Sequence, residues 1–364
     1  MNTNIIKLVA ILGTIALFGA GCGGTTKTTV IPPGGVYVSK DGGQNWTQMS
    51  KYTGGLDITK VAPYKVVFDP YDTAKLYMAA GPSGLLHFDN TTAEWAQVKT
   101  PAQFVLGVAV HPRNSNILFV FGNSVTDPKR YKIWKSFDDG KNWTEIYVDP
   151  VVQTGGIFSK KIAPGIITAM EVDPTRPEIL LVGSSSGALL ITSDGGATWS
   201  NAHSFASGIA GVRVAPASGQ WYVLLVSGQV ASSSDGGENF EVVNIKKGDT
   251  EAKSLLAIQF VSDGNKTKNI LAGTEHGIFN STDDGKTWSV VPLPVSEKQS
   301  VSINAIAAGV GKTIYAGANF VLYTSKDDGI KWKVYQFPLT NAIRFLLTDP
   351  KDANTVYAVF NPAG

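Results

Sequence analysis

The sequence predicts an all-β chain folded as a seven-bladed β-propeller. Three observations predict it. A short box, Ser/Thr-x-Asp-x-Gly-x-x-Trp, recurs along nearly the whole chain. A second unit alternates with it: an apolar strand, a turn often built on Asp-Pro, then another strand. The repeats open on one half of a unit and close on the other half.

The box occurs as "SKDGGQNW" (39–46), "SFDDGKNW" (136–143), "TSDGGATW" (192–199), "STDDGKTW" (281–288) and "SKDDGIKW" (325–332). "SSDGGENF" (233–240) places Phe240 where the others have tryptophan. "HFDNTTAEW" (87–95) is a decayed copy, one residue longer and without the glycine. The aromatics are separated by steps of 41 to 56 residues. The second unit includes "VVFDPYDTAKLYMAA" (66–80), "MEVDPTRPEILLVG" (170–183) and "LLTDPKDANTVYAV" (346–359), and it also occurs seven times. Short β-rich runs between turn residues, with no helical period, read as strands. Each period then holds four strands, A to D. A and B flank the Asp-Pro turn, C leads into the box and D begins at its aromatic. Four strands in 40–50 residues is the pattern of a propeller blade.

The ends fit a closed ring. The first repeat residues form a C–D pair (35–49) and the last an A–B pair (341–361). From Trp332 to Gly364 and from Gly35 to Trp46 the two ends together amount to 44 residues, the length of one blade. One shared blade closes the ring and removes its edges. The expected organisation is a signal segment (1–21), a tether (22–34) and the propeller (35–364).

Each residue of the box has a local task. The aspartates Asp41, Asp138, Asp194, Asp235, Asp283 and Asp327 can accept hydrogen bonds from backbone N–H groups of the turn. The hydroxyl can do the same, the glycine allows positive φ, and the aromatic can pack between blades. A calcium loop would need alternating ligands and a glutamate at its twelfth position. No copy supplies that set, and the four histidines, His87, His111, His203 and His276, lack ligand spacing. No nucleophile elbow, P-loop or dinucleotide fingerprint occurs. No metal and no cofactor are expected, and no catalytic residue is assigned.

At the N-terminus Lys7 precedes the apolar run "LVAILGTIALF" (8–18). That run suits the hydrophobic region of a signal peptide and is too short to span a bilayer. "GAGC" (19–22) follows, and Cys22 is the only cysteine. Small residues ahead of a cysteine at this place resemble a bacterial lipoprotein signal. The resemblance implies lipidation of Cys22 and an extracytoplasmic domain anchored to the cell membrane or outer membrane. The alternative is an ordinary secretory signal with an incidental cysteine. No disulfide is available to the domain. The net charge of +2 gives no basis for nucleic-acid binding.

The boxes resemble the Asp-box, or bacterial neuraminidase repeat, over residues 35–361. Propellers with this motif include sialidases, xyloglucan hydrolases, sortilin-type receptors and the photosystem II assembly-factor group. The motif implies a fold and not a function. A sialidase needs an arginine triad, and this chain has five arginines in all. Of these, Arg113 and Arg176 fall in A–B turns, on the same side as the boxes. Xyloglucan hydrolases use two aspartates between two propellers, whereas this chain has one propeller. Asp57, Asp249, Glu251 and Glu297 are candidate loop acids, more simply read as solvated residues. The assembly-factor group resembles the chain in size, in its single propeller and in a lipoprotein signal, although that group carries an arginine-rich patch. The resemblance implies a non-catalytic, monomeric scaffold for a protein or other envelope partner. The alternative is a glycan-active or glycan-binding propeller.

Two long connections break the rhythm on the face opposite the boxes. They are "GNSVTDPKRYK" (122–132) and "DPVVQTGGIFSKKIAPG" (149–165). They bring Lys129, Arg130, Tyr131, Lys132, Phe158, Lys160 and Lys161 toward one face as a candidate partner site. Basic and aromatic residues on long loops suit protein or acidic-ligand recognition. Two tolerated insertions with solvated charges are the alternative.

Overall fold

The computed structural model describes residues 34–362, apart from 74, 125, 127–129, 149–164, 264–265, 297–299, 310 and 340. Cys22, the signal segment and nearly all of the tether lie outside the described residues, as do Lys129, Phe158, Lys160, Lys161 and Glu297. Among the described residues no helix is long and apolar enough to cross a membrane.

Seven antiparallel sheets of four strands carry the repeats. Blades 1 to 6 are continuous in sequence, at 65–98, 102–148, 167–204, 209–244, 255–291 and 305–336. Blade 7 has the strand order Thr47–Gln48, Gly35–Ser39, Asp352–Phe360, Ile343–Asp349. Its two halves pair in register, with Val36 opposite Val359 and Val38 opposite Tyr357. The ends of the repeat region therefore share one blade, as the half units predict. One further hairpin, Lys246–Lys247 with Thr250–Glu251, stands between blades 4 and 5 and has no counterpart in the repeat pattern.

The core is divided among the gaps between neighbouring blades. Seven clusters of buried apolar side chains are present, one per gap. Val359 and Tyr357 of blade 7 pack on Val66, Leu76 and Met78 of blade 1 in the cluster that closes the ring. Burying one such aliphatic side chain stabilises by roughly 1.5–3 kcal/mol, so each gap holds its blades firmly.

The boxes fasten this arrangement in two ways. In the six intact copies the Ser or Thr hydroxyl donates to the Asp carboxylate at 2.7–2.8 Å. It also accepts from the Gly N–H at 2.8–2.9 Å. The carboxylate accepts from the backbone N–H four residues on, at 2.8–3.1 Å. Gly196 shows why the glycine is needed. Its φ is +105°, and a Cβ there would lie 2.6 Å from Ile146 of blade 2. Three of the tryptophans then tie blades together by a hydrogen bond, while Trp46, Trp288 and Trp332 donate to the glycine carbonyl of their own box. Trp95, Trp143 and Trp199 donate to Met49 O, Lys99 O and Ile146 O, each at the outer edge of the preceding blade. The decayed copy thus keeps its inter-blade bond.

Box turns and A–B turns lie side by side. Gly42, Asp139, Gly195 and Asp328 donate to Asn354 O, Asn116 O, Glu178 O and Lys312 O at 2.9–3.1 Å. Both turn types therefore occupy one face, and the B–C and D–A connections occupy the other.

Candidate functional site

The box carboxylates are consumed by their own turns. Hydrogen bonds from the Thr198 side chain and N–H, and from Thr192, hold Asp194 well below the usual carboxylate range. The backbone N–H and side chain of Asn142, then Ser136, hold Asp138 down to about 2. Among the described residues no group of three or more His, Cys, Asp or Glu is placed to hold a metal. The A–B turns are equally committed. Asp173 is fully buried and accepts from Thr175 N and Arg176 N at 2.8 and 3.0 Å, and from the Arg176 guanidinium. Arg113 donates to Thr175 O at 3.0 Å, which ties the turns of blades 2 and 3 together.

The loop acids hold local structure. Asp57 accepts from Thr59 N at 3.0 Å at the start of a short 3-10 turn. Glu251 pairs with Lys246 at 3.0 Å within the extra hairpin and accepts from Asn244 of blade 4 at 2.9 Å. Asp249 lies exposed at the tip of that hairpin.

Part of the predicted partner site falls within the described residues. Arg130, Tyr131 and Lys132 sit at the start of strand Tyr131–Ser136, at the end away from its box. That is the expected face. Tyr131 is half-buried against the core between blades 2 and 3. Lys132 is mostly buried and pairs with Glu145 at 2.8 Å, so it serves its own blade first.

The same face holds a feature that loop lengths do not announce. The inner strands surround a central channel of about 530 Å³. Five of them carry a β-bulge near the end opposite the boxes, at Val105/Gly107, Ile167/Ala169, Ile209/Gly211, Leu255/Ala257 and Ile343/Phe345. A bulge re-aims the extra residue. Here the extra residues are Leu106, Thr168, Ala210, Leu256 and Arg344, and all five line the channel. Thr168 spends its hydroxyl on Ile209 O of the next blade at 2.6 Å. Leu256 and Arg344 are exposed, and Tyr64, Ile166 and Val226 lie exposed on the same face at the ends of their strands. The Tyr64 ring packs edge-on to Phe104, with centroids 5.4 Å apart. An apolar rim around a channel, with one arginine, can take up an apolar side chain and orient a polar or acidic group. Sequence reasoning missed these residues because they have no single residue type in common and are scattered over six blades.

Comparison with known proteins follows this geometry. A family model described as "Sortilin, neurotensin receptor 3" matches residues 34–154, about a third of the chain. Xyloglucanase Xgh74A of Acetivibrio thermocellus is 23% identical over 248 residues, covering 62% of this chain and 25% of that protein. The chain thus spans about a quarter of the length of the curated relative it matches. The GH74 xyloglucanase of Xanthomonas campestris superposes with a TM-score of 0.67 at 16% identity, covering 84% of this chain and 51% of that one. A structure of YCF48 bound to D1 peptide superposes with a TM-score of 0.60 at 14% identity, covering 82% of this chain and 93% of that one. These likenesses establish the propeller fold that the chain shares with both solved structures.

Proposed function

We propose that the protein is a non-catalytic propeller, tethered to the cell envelope through Cys22, that binds a protein or other envelope partner on the face opposite its boxes. The observation that carries this reading is the channel mouth, where exposed Tyr64 and Leu256 stand with Arg344, with Ile166 and Val226 also exposed at strand ends on the same face. In the sequence, Lys129, Arg130, Lys160 and Lys161 belong to the two long connections of blades 2 and 3. A similar propeller, YCF48, has been solved with a bound peptide, which supports a protein partner.

A glycan-active or glycan-binding propeller is the second reading, and the likeness to xyloglucanases favours it. Glycoside hydrolysis by the usual route needs two carboxyl groups flanking the bond. The charged residues that line the channel are basic, which supports binding over hydrolysis. Two assays separate the readings. Charge reversal of Lys129, Arg130, Lys160 and Lys161 together should weaken capture of the partner from envelopes. The same protein should release no sugar from a panel of polysaccharides. Sugar release abolished by mutating one acidic residue would replace the first reading with the second.

A further inference from the structure

Among the described residues three charged side chains line the channel, and all are basic: Lys65, Arg213 and Arg344. They come from blades 1, 4 and 7. Arg213 has a companion. Its Nη1 lies 3.7 Å from Glu171 Oε2 and donates to Val212 O at 2.8 Å. For Lys65, among the described residues, no hydrogen bond or ion pair engages the ammonium; it feels only the field of Arg213 and Glu171. Arg344 stands at the mouth, its guanidinium 5.6 Å from the Phe345 ring.

Glu171 offsets one of the three charges, so the channel keeps a surplus of two. Cations that face one another in a confined space, poorly screened by water, repel, and a bound anion removes that cost. Burial pushes the Lys65 ammonium down to about 8; Arg213 adds to the fall and Glu171 opposes it. Space is available at this level, because Gly107, Ala169, Gly211, Ala257 and Ala305 line it. Ammonium and guanidinium groups are donors without acceptors, suited to oxyanion oxygens.

We propose that the channel binds a compact dianionic oxyanion, phosphate or the phosphoryl group of a phosphomonoester, between Lys65 and Arg213, with Arg344 at the entrance. The charge surplus selects a dianion, and the inner position of Lys65 and Arg213 separates this site from the apolar rim. The proposal does not depend on the partner reading.

Titration calorimetry of the full chain with inorganic phosphate, glycerol phosphate and sulfate, at pH 7.5 and 9.5, tests it. Sulfate stays doubly charged throughout, so a change in its binding reports on the protein. Saturable binding is expected at pH 7.5. The affinity should fall on the order of tenfold at pH 9.5, where the Lys65 ammonium has lost its proton. The Lys65→Met variant should show a loss of similar size at pH 7.5, with no lowering of its ligand-free melting midpoint. If that variant fails to fold, the pH dependence of sulfate binding decides alone. Tighter binding of phosphate assigns the free ion, and tighter binding of the ester assigns a phosphoryl group on a larger ligand. Absence of saturable binding at millimolar concentration, or sulfate affinity unchanged at pH 9.5, overturns the proposal.

Discussion

Asp173 shows how much a single side chain carries in a turn-rich fold. Its carboxylate is fully buried, and Trp221 Nε1 approaches it at 3.4 Å in addition to the N–H groups of Thr175 and Arg176. Burial alone would raise its pKa, but the bonds from Thr175 and Arg176 outweigh it and hold the carboxyl below its ordinary value. Replacing Asp173 with alanine leaves these donors unpaired and should cost about 2–3 kcal/mol in urea unfolding. The sign with pH follows from the lowered pKa. The contribution is complete above the unfolded value, near pH 4, and is lost as pH falls through the folded one. The gap between wild type and Asp173→Ala should therefore be constant from pH 7 to about 5 and close in stronger acid. The same position is His111 in blade 2, whose Nδ1 accepts from Arg113 N at 3.1 Å. Two residue types thus perform one task, which explains why the Asp-Pro unit varies while the turn persists. The sequence marks this turn by Asp-Pro, and in the structure the aspartate side chain organises it.

At the scale of elements, the boxes were readable because their bonds span two to four residues. The bonds that Asp194 makes through its side chain, and the bond from Gly196 N to Thr192, lie within "SDGGATWS" or one residue before it, while Gly195 and the Trp199 indole reach Glu178 O and Ile146 O outside it. Local physics writes a local pattern, and seven copies make it visible. The bulged inner strands were not readable in this way. A bulge is defined by pairing with another strand, and Leu106, Thr168, Ala210, Leu256 and Arg344 carry no common signature. Closure through blade 7 belongs to this scale too. Strand Gly35–Ser39 covers the edge of Asp352–Phe360 and supplies Val36 to the core between blades 7 and 1. Deleting residues 35–49 exposes that strand edge and opens the core gap. The truncated protein should aggregate or lose its single cooperative melting transition. An unchanged transition by calorimetry would show that the shared blade is dispensable.

At the scale of the whole molecule, the ring separates a face of self-bonded turns from a face that carries the open channel mouth. One face is occupied by box turns and A–B turns whose polar groups bond to each other. The other face carries the channel mouth and the bulges. Loop lengths in the sequence point to this face, and the structure adds exposed apolar residues and the cations of the channel. Lys65, Arg213 and Arg344 meet only because the ring closes; no two of them are close in sequence. A photoreactive residue in place of Leu256, at the mouth, and another in place of Ile330, 76% exposed at a box turn, test the division most directly. In native cells the first should give a discrete protein adduct that Arg344→Glu abolishes, and the second should give none. Equal adducts from both positions, or adducts from Ile330 alone, would contradict the assignment of the partner site to the face opposite the boxes.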